Sequence, residues 1–144
     1  MKRIWDLLND KGRHIWSLDP DATVYEAIEQ MAEKGVGALL VMDGKRLVGI
    51  VSERDYARKV ILKGKSSREI QVREIMSHPV ICACLDLSIE QTMALMTENR
   101  VRHLPVVFEE TVVGVISIGD VVRAIIEDKE FYIQQLTTYI TSVG

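Results

Sequence analysis

The chain has 144 residues, 47% of them hydrophobic and 27% charged, with a formal net charge of −3; that composition is globular and suits one ordinary domain or two small ones sharing a core. No apolar run approaches the roughly 18 residues that a membrane span requires, and the charge balance gives no bulk attraction to nucleic acid or anionic lipid. The opening Met1-Lys2-Arg3-Ile4-Trp5-Asp6 meets an acid after two apolar residues, without a secretory core, so the expected compartment is the cytoplasm.

Ile4, Trp5, Leu7 and Leu8 form a short helical signature. His14-Ile15-Trp16-Ser17-Leu18 is strand-like, and Asp19-Pro20-Asp21 stops it. Thr23-Val24-Tyr25-Glu26 has the form of a capping box, and Val24, Ala27, Ile28 and Met31 follow at helical spacing. Val36 to Met42 is a nearly continuous apolar strand, Asp43-Gly44 a turn, and a second strand runs through Gly49 to Ser52. A helical pattern opens at Asp55. Lys63 to Glu69, the longest polar stretch, reads as a loop or linker.

From there the chain repeats itself. Val72, Ile75 and Met76 echo the first helical signature at a displacement of 68 residues. Ser88-Ile89-Glu90-Gln91 is a second capping box, with a second stripe of Ile89, Thr92, Met93 and Met96. Val101 to Val107 is the matching strand, and Glu109-Glu110 the matching turn. Val112 to Asp120 restates Leu47 to Asp55 with glycine, serine and aspartate all displaced by 65. The change from 68 to 65 locates a three-residue insertion in the first copy, near Lys11-Gly12-Arg13. Each copy therefore reads strand, helix, strand, strand, helix. The predicted class is α/β (α+β), with repeats at 1–65 and 66–127 and a helical extension at 128–144. Along 121–143 the apolar positions Val122, Ile125, Ile126, Ile133, Leu136, Ile140 and Val143 exceed what one small domain buries; a partner subunit is the expected cover, with packing back on the same chain the alternative.

Cys82 and Cys84 alternate onto one face of a strand-like run, where they are expected to be buried, reduced thiols; no second Cys or His pair completes a zinc set. Gly64-Lys65-Ser66 resembles the end of a phosphate-binding loop, but Lys59 stands where its first glycine is required. His103 has no nucleophile or acid–base partner placed by sequence, and Trp5 and Trp16 read as core or subunit contacts. Ser52-x-x-Asp55 and Ser117-x-x-Asp120 allow two readings. They are helix caps with an acid at the dipole, or hydroxyl and carboxylate oxygens that hold a ribose diol through charge-assisted hydrogen bonds.

Gly49-Ile50-Val51-Ser52-Glu53-Arg54-Asp55, Gly114-Val115-Ile116-Ser117-Ile118-Gly119-Asp120 and Val101-Arg102-His103-Leu104-Pro105-Val106-Val107 together resemble a tandem pair of cystathionine-β-synthase (CBS) motifs, the regulatory unit called a Bateman module. The likeness covers about residues 1–127 and is to short stand-alone CBS-pair proteins, which have no attached enzyme domain. It implies two βαββα repeats related by a pseudo-twofold axis, with two clefts that take adenine nucleotides such as AMP, ATP or NAD(H). By that analogy Asp120 and Ser117 hold one ribose, with Asp19, Val24, Val36, Gly37 and Ala38 around the adenine. Asp55 and Ser52 hold the other, with Cys84, Ile89, Val101 and His103. Arg102 and Arg54 stand where phosphate-contacting basic residues occur. Gly37 answers Arg102, Leu40 answers Pro105, and Gly119 answers Arg54, so the clefts are inequivalent, and the asymmetry favours the cleft of Asp120. The resemblance also implies a homodimer, a regulated protein partner and no catalysis. A nucleotide-processing enzyme and a ligand-free oligomerisation module are the rival readings.

Overall fold

The structure, a computed structural model, describes residues 2–143, apart from the side chains at 131, 132, 139, 140, 142 and 143. Its elements are α1 (Ile4–Lys11), β1 (Ser17–Leu18), α2 (Val24–Lys34), β2 (Ala38–Asp43), β3 (Arg46–Ser52), α3 (Glu53–Lys59), α4 (Ile89–Asn99), β4 (His103–Phe108), β5 (Thr111–Ser117) and α5 (Ile118–Val143), with single 3-10 turns at Ile61–Lys63 and Val72–Glu74.

Local chemistry explains the two central helices. Thr23 Oγ1 accepts the Glu26 N–H at 3.1 Å while the Glu26 carboxylate accepts the Thr23 N–H at 3.1 Å. Ser88 and Gln91 close the same reciprocal box at 3.1 and 2.9 Å, satisfying donors that a helix start leaves open. The expected stripes face inward. Val24, Ala27 and Met31 are buried in α2, and Ile89, Thr92 and Met96 in α4. Gly35 ends α2 in the left-handed region at φ +67°, and Arg100 does the same for α4 at +54°.

The duplication extends to backbone register. β2 pairs antiparallel with β3 from Ala38↔Ser52 to Asp43↔Arg46, with an irregularity after Val41. β4 pairs with β5 from His103↔Ser117 to Phe108↔Thr111, with the irregularity after Val106, so even the bulge recurs at the same displacement. The expected strand over 14–18 narrows to β1, parallel to β2 through Ser17↔Leu40 and Leu18↔Val41. In the second repeat it shrinks to one bridge, Ala83↔Val106, again the same displacement. That bridge corrects the expectation for the cysteines. Ala83 takes the inward position and is buried, so the face shared by Cys82 and Cys84 points outward and both are exposed.

The compact units do not follow the sequence repeats end to end. Residues 14–81 form one unit, and residues 1–13 together with 82–144 form the other. Each leading segment therefore packs with the opposite repeat, and both do so by one scheme. Ile4 N–H donates to Leu87 O (2.9 Å) and Trp5 N–H to Leu85 O (3.0 Å), as Val72 N–H donates to Ala22 O (2.8 Å) and Arg73 N–H to Pro20 O (3.2 Å). The side chains match as well. A Cβ on Gly114 would stand 2.6 Å from Leu8 Cδ2, and one on Gly49 would collide with Met76. These two glycines leave room for the leading segment against the strand, a steric need rather than a conformational one.

The segments differ in one respect. In the unit of residues 14–81 the segment leaves its 3-10 turn and lies along the outer edge of β3, where Ser77 and Ile50 exchange backbone hydrogen bonds at 2.9 and 3.1 Å. In the other unit α1 stays helical to Lys11 before Gly12 turns the chain at φ +96°. The outer edge of β5 then receives a side chain instead. Lys11 Nζ donates to Val115 O at 2.9 Å.

Among the described side chains of α5 the buried apolar positions are Val121 and Ala124, whereas Val122, Ile126, Ile133 and Leu136 are exposed. The last two positions of the predicted stripe, Ile140 and Val143, lie outside the described side chains. Among the described residues no helix is long and apolar enough to cross a membrane.

Candidate functional site

Both Ser-x-x-Asp sets stand at a strand-to-helix junction, because β3 and β5 each end on the serine and the next helix begins one residue later. In the second repeat the Asp120 Oδ2 atom accepts the Ser117 N–H at 2.8 Å and the Ser117 hydroxyl at 2.9 Å, and Ser117 Oγ accepts the Asp120 N–H at 3.2 Å. In the first repeat Asp55 Oδ2 accepts from Ser52 N–H and hydroxyl at 2.9 and 3.0 Å, and Ser52 Oγ accepts the Asp55 N–H at 3.2 Å. One further bond braces each corner. Gly37 O accepts the Glu53 N–H at 3.0 Å, and Arg102 O accepts the Ile118 N–H at 2.8 Å. The residues before β2 and β4 are thereby tied to the helix start, beside the carboxylate.

The capping reading is therefore realised, and it leaves part of each carboxylate for other donors. Asp120 Oδ2 also takes Lys11 Nζ at 2.6 Å, and Oδ1 takes Arg123 Nη2 at 2.9 Å. Asp55 Oδ1 has Lys59 Nζ at 3.2 Å, and that ammonium also donates to Ile75 O at 2.8 Å. Asp120 is 7% exposed, and it lines a recess of about 180 Å³ with Lys2, Leu7, Asp10, Lys11, Arg123, Ala124 and Glu127. On its other side Lys2 Nζ bridges Glu127 at 3.1 Å and Asp10 at 3.5 Å. Sequence spacing gave no sign of Lys11, which stands 109 positions from its partner; the three-residue insertion beside it was the available signal.

Burial pushes the Asp120 carboxyl up, but the Lys11 ammonium and the Ser117 donors outweigh it and hold the group below its ordinary 3.8. A carboxylate depressed in the fold stabilises in full above the unfolded value, and that contribution is lost as pH falls through the lower folded value. Relative to Asp120→Asn, the parent should therefore hold a constant stability advantage from pH 7 to 5 and lose it progressively below about pH 4. Urea unfolding of both proteins across that range measures the difference.

The remaining predicted residues divide by unit. Arg102, Val101, His103, Cys84 and Ile89 share the unit of Ser117 and Asp120. Arg102 is exposed, Val101 and His103 are half-buried, and Ile89 belongs to the core at 1% exposure. Arg54, Asp19, Val24, Val36, Gly37 and Ala38 share the unit of Ser52 and Asp55. Asp19 and Arg54 are exposed, while Val36, Gly37 and Ala38 are half-buried. Val24 is fully buried, in one cluster with Val72 and Ile75. Asp19 also shapes its own turn, its carboxylate accepting the Asp21 N–H at 2.8 Å. The Cys84 thiol is pushed up by the Asp86 carboxylate and by burial, which keeps it from acting as a ready thiolate. Among the described residues no group of three or more His, Cys, Asp or Glu side chains is placed to hold a metal ion.

Comparison with known proteins gives this geometry a family. The CBS domain model matches twice, at residues 11–62 and 72–127. A mitochondrial CBS domain-containing protein of Arabidopsis thaliana is 38% identical over 95% of this chain and 71% of its own length. A solved structure of a protein with CBS domains from Burkholderia ambifaria superposes with a TM-score of 0.85 at 48% identity, covering 88% of this chain and 96% of the other. At 22% identity, where the likeness is one of fold, a CBS domain pair crystallised with 5′-methylthioadenosine and S-adenosyl-L-methionine covers 89% of this chain with a TM-score of 0.78. Two matched stretches, a shared fold and two Ser-x-x-Asp corners with the same hydrogen-bond pattern carry one conclusion: the chain belongs to the CBS domain family, as a tandem pair of CBS repeats.

Proposed function

We propose that the chain is a non-catalytic sensor that binds an adenine nucleotide (AMP, ATP or NAD(H)) at its Ser-x-x-Asp corners and passes the signal to a partner protein. The carrying observation is the Asp120 carboxylate, fixed by two Ser117 donors at the start of α5 and lining a recess. An ionised carboxylate whose Lys11 and Arg123 partners can give way to a ligand suits two vicinal hydroxyls. Its depressed pKa makes it a poor proton acceptor near neutral pH, which favours binding over general-base catalysis. Fold-level analogy adds that a CBS pair can hold adenosine compounds. A ligand at such a corner shifts a partner only as far as its affinity differs between two states.

Isothermal titration of the whole chain with AMP, ATP and NADH tests the proposal. Saturable binding of at least one of them is expected. Heats no larger than dilution for all three would leave the corners as helix caps and favour the oligomerisation reading.

A further inference from the structure

We infer that Lys11 is a specificity-determining residue that makes the corner of Asp120 select phosphorylated adenosine ligands over uncharged ones. The inference rests on the nucleotide reading above and goes on to name the ligand class. It begins with the difference between the leading segments. Where the Ser77 backbone occupies the edge of β3, α1 runs on to Lys11 and seats an ammonium on the edge of β5. That ammonium is held by two acceptors, Val115 O at 2.9 Å and Asp120 Oδ2 at 2.6 Å. A lysine carries three donors, so one N–H remains for a ligand, and the strand carbonyl keeps the charge in place when Asp120 turns toward ribose hydroxyls.

Arg123, 67% exposed, spends one N–H on Asp120 Oδ1 and has the rest of its guanidinium open to solvent. Two cations therefore surround one carboxylate at this corner. At the other corner, among the described residues, Asp55 has Lys59 as its one ion-pair partner, and Ala124 stands at the second-repeat position corresponding to Lys59. The far rim of the recess is neutral to slightly acidic, with Asp10 and Glu127 against Lys2. The surplus positive charge thus sits beside Asp120. A ribose anchored on Asp120 brings its 5′ substituent within reach of that surplus. A phosphate there gains charge-assisted hydrogen bonds, whereas a neutral or cationic 5′ group gains none.

The experiment compares AMP, adenosine and S-adenosyl-L-methionine by calorimetry at low salt, in the parent, Lys11→Met, Lys11→Arg and the more conservative surface variant Arg123→Gln. The parent should bind AMP roughly ten- to a hundredfold more tightly than adenosine. Lys11→Met should lose about that ratio while adenosine affinity holds or rises, and Lys11→Arg should keep most of it. Arg123→Gln should lower the ratio by a smaller factor. An unchanged AMP-to-adenosine ratio in Lys11→Met, or a parent that binds adenosine or S-adenosyl-L-methionine as well as AMP, overturns the inference and leaves nucleotide binding intact. No binding of any of the three by the parent overturns the inference, and with flat titrations of ATP and NADH as well it overturns the nucleotide reading too. If Lys11→Met fails to fold, Lys11→Gln takes its place, and a Lys11→Gln ratio equal to the parent's overturns the inference.

Discussion

Gly114→Val should destabilise the protein by about 3 kcal/mol, the upper end of what overpacking a filled core costs, and lower Tm by roughly 10 °C for a chain of this size. The new Cβ would stand 2.6 Å from Leu8 Cδ2 and 3.1 Å from Leu8 Cδ1. Leu8 is fully buried, so it cannot swing into solvent to relieve the clash, and valine adds two methyl groups beyond that Cβ. Valine is otherwise a better strand former than glycine, which makes the sign diagnostic. A stabilised variant would mean that α1 does not lie on β5. The pair can be isolated by a double-mutant cycle. Leu8→Ala alone should cost about 2–5 kcal/mol, but in the Gly114→Val background it should cost far less, because the clash and the cavity cancel. Gly49→Val with Met76→Ala forms the matching cycle in the other unit. Denaturant unfolding with matched m-values measures all of these.

Asp120→Ala should weaken nucleotide binding by about a hundredfold or more, at a cost to stability of only about 1–2 kcal/mol. The binding figure follows from losing two hydrogen bonds to a charged group, each worth roughly 1.5–3 kcal/mol. The stability figure is that of a helix cap, because Ser117 Oγ still accepts the N–H of residue 120 when the carboxylate is gone. Lys11 loses one of its two partners but keeps the Val115 carbonyl. The separation of the two effects matters. A variant that unfolds would say nothing about the ribose, whereas one that melts within a few degrees of the parent and no longer binds assigns the carboxylate to the ligand. Calorimetry alongside thermal melting reads both. Asp55→Ala, measured in parallel, reports how much binding belongs to the other corner.

Much of this architecture is legible in the residues because a duplicated sequence carries its own control. The displacement of 65 that aligns Ser52 with Ser117 also predicts both capping boxes, both stripes and both hairpins, and the structure adds a bulge that recurs after Val41 and Val106. Three features escaped it. β1 fades to a single bridge in the second repeat, since Ala83 supplies less apolar surface than Leu18 and its neighbours are turned outward. The same outward turn exposes Cys82 and Cys84, which alternation places on one face without saying which. The exchange of leading segments is a long-range packing choice with no local signature, and the shift from 68 to 65 marks only the three-residue insertion in the first copy. Lys11 belongs to that insertion and reaches Val115 O from the end of α1. Its partner on α5 is remote in sequence, and no local pattern in Asp10-Lys11-Gly12 distinguishes it from any lysine near a helix end.

The second corner is expected to read the ribose diol through Asp120, and deoxynucleotides probe that contact without altering the protein. The affinities of AMP and 2′-deoxy-AMP should be compared in the parent and in Asp120→Ala. Removing the hydroxyl should cost the parent about tenfold or more, as losing one charge-assisted hydrogen bond does, and should cost the variant almost nothing. An equal loss in both proteins, or no loss in the parent, would mean that the carboxylate caps its helix and does not touch the sugar.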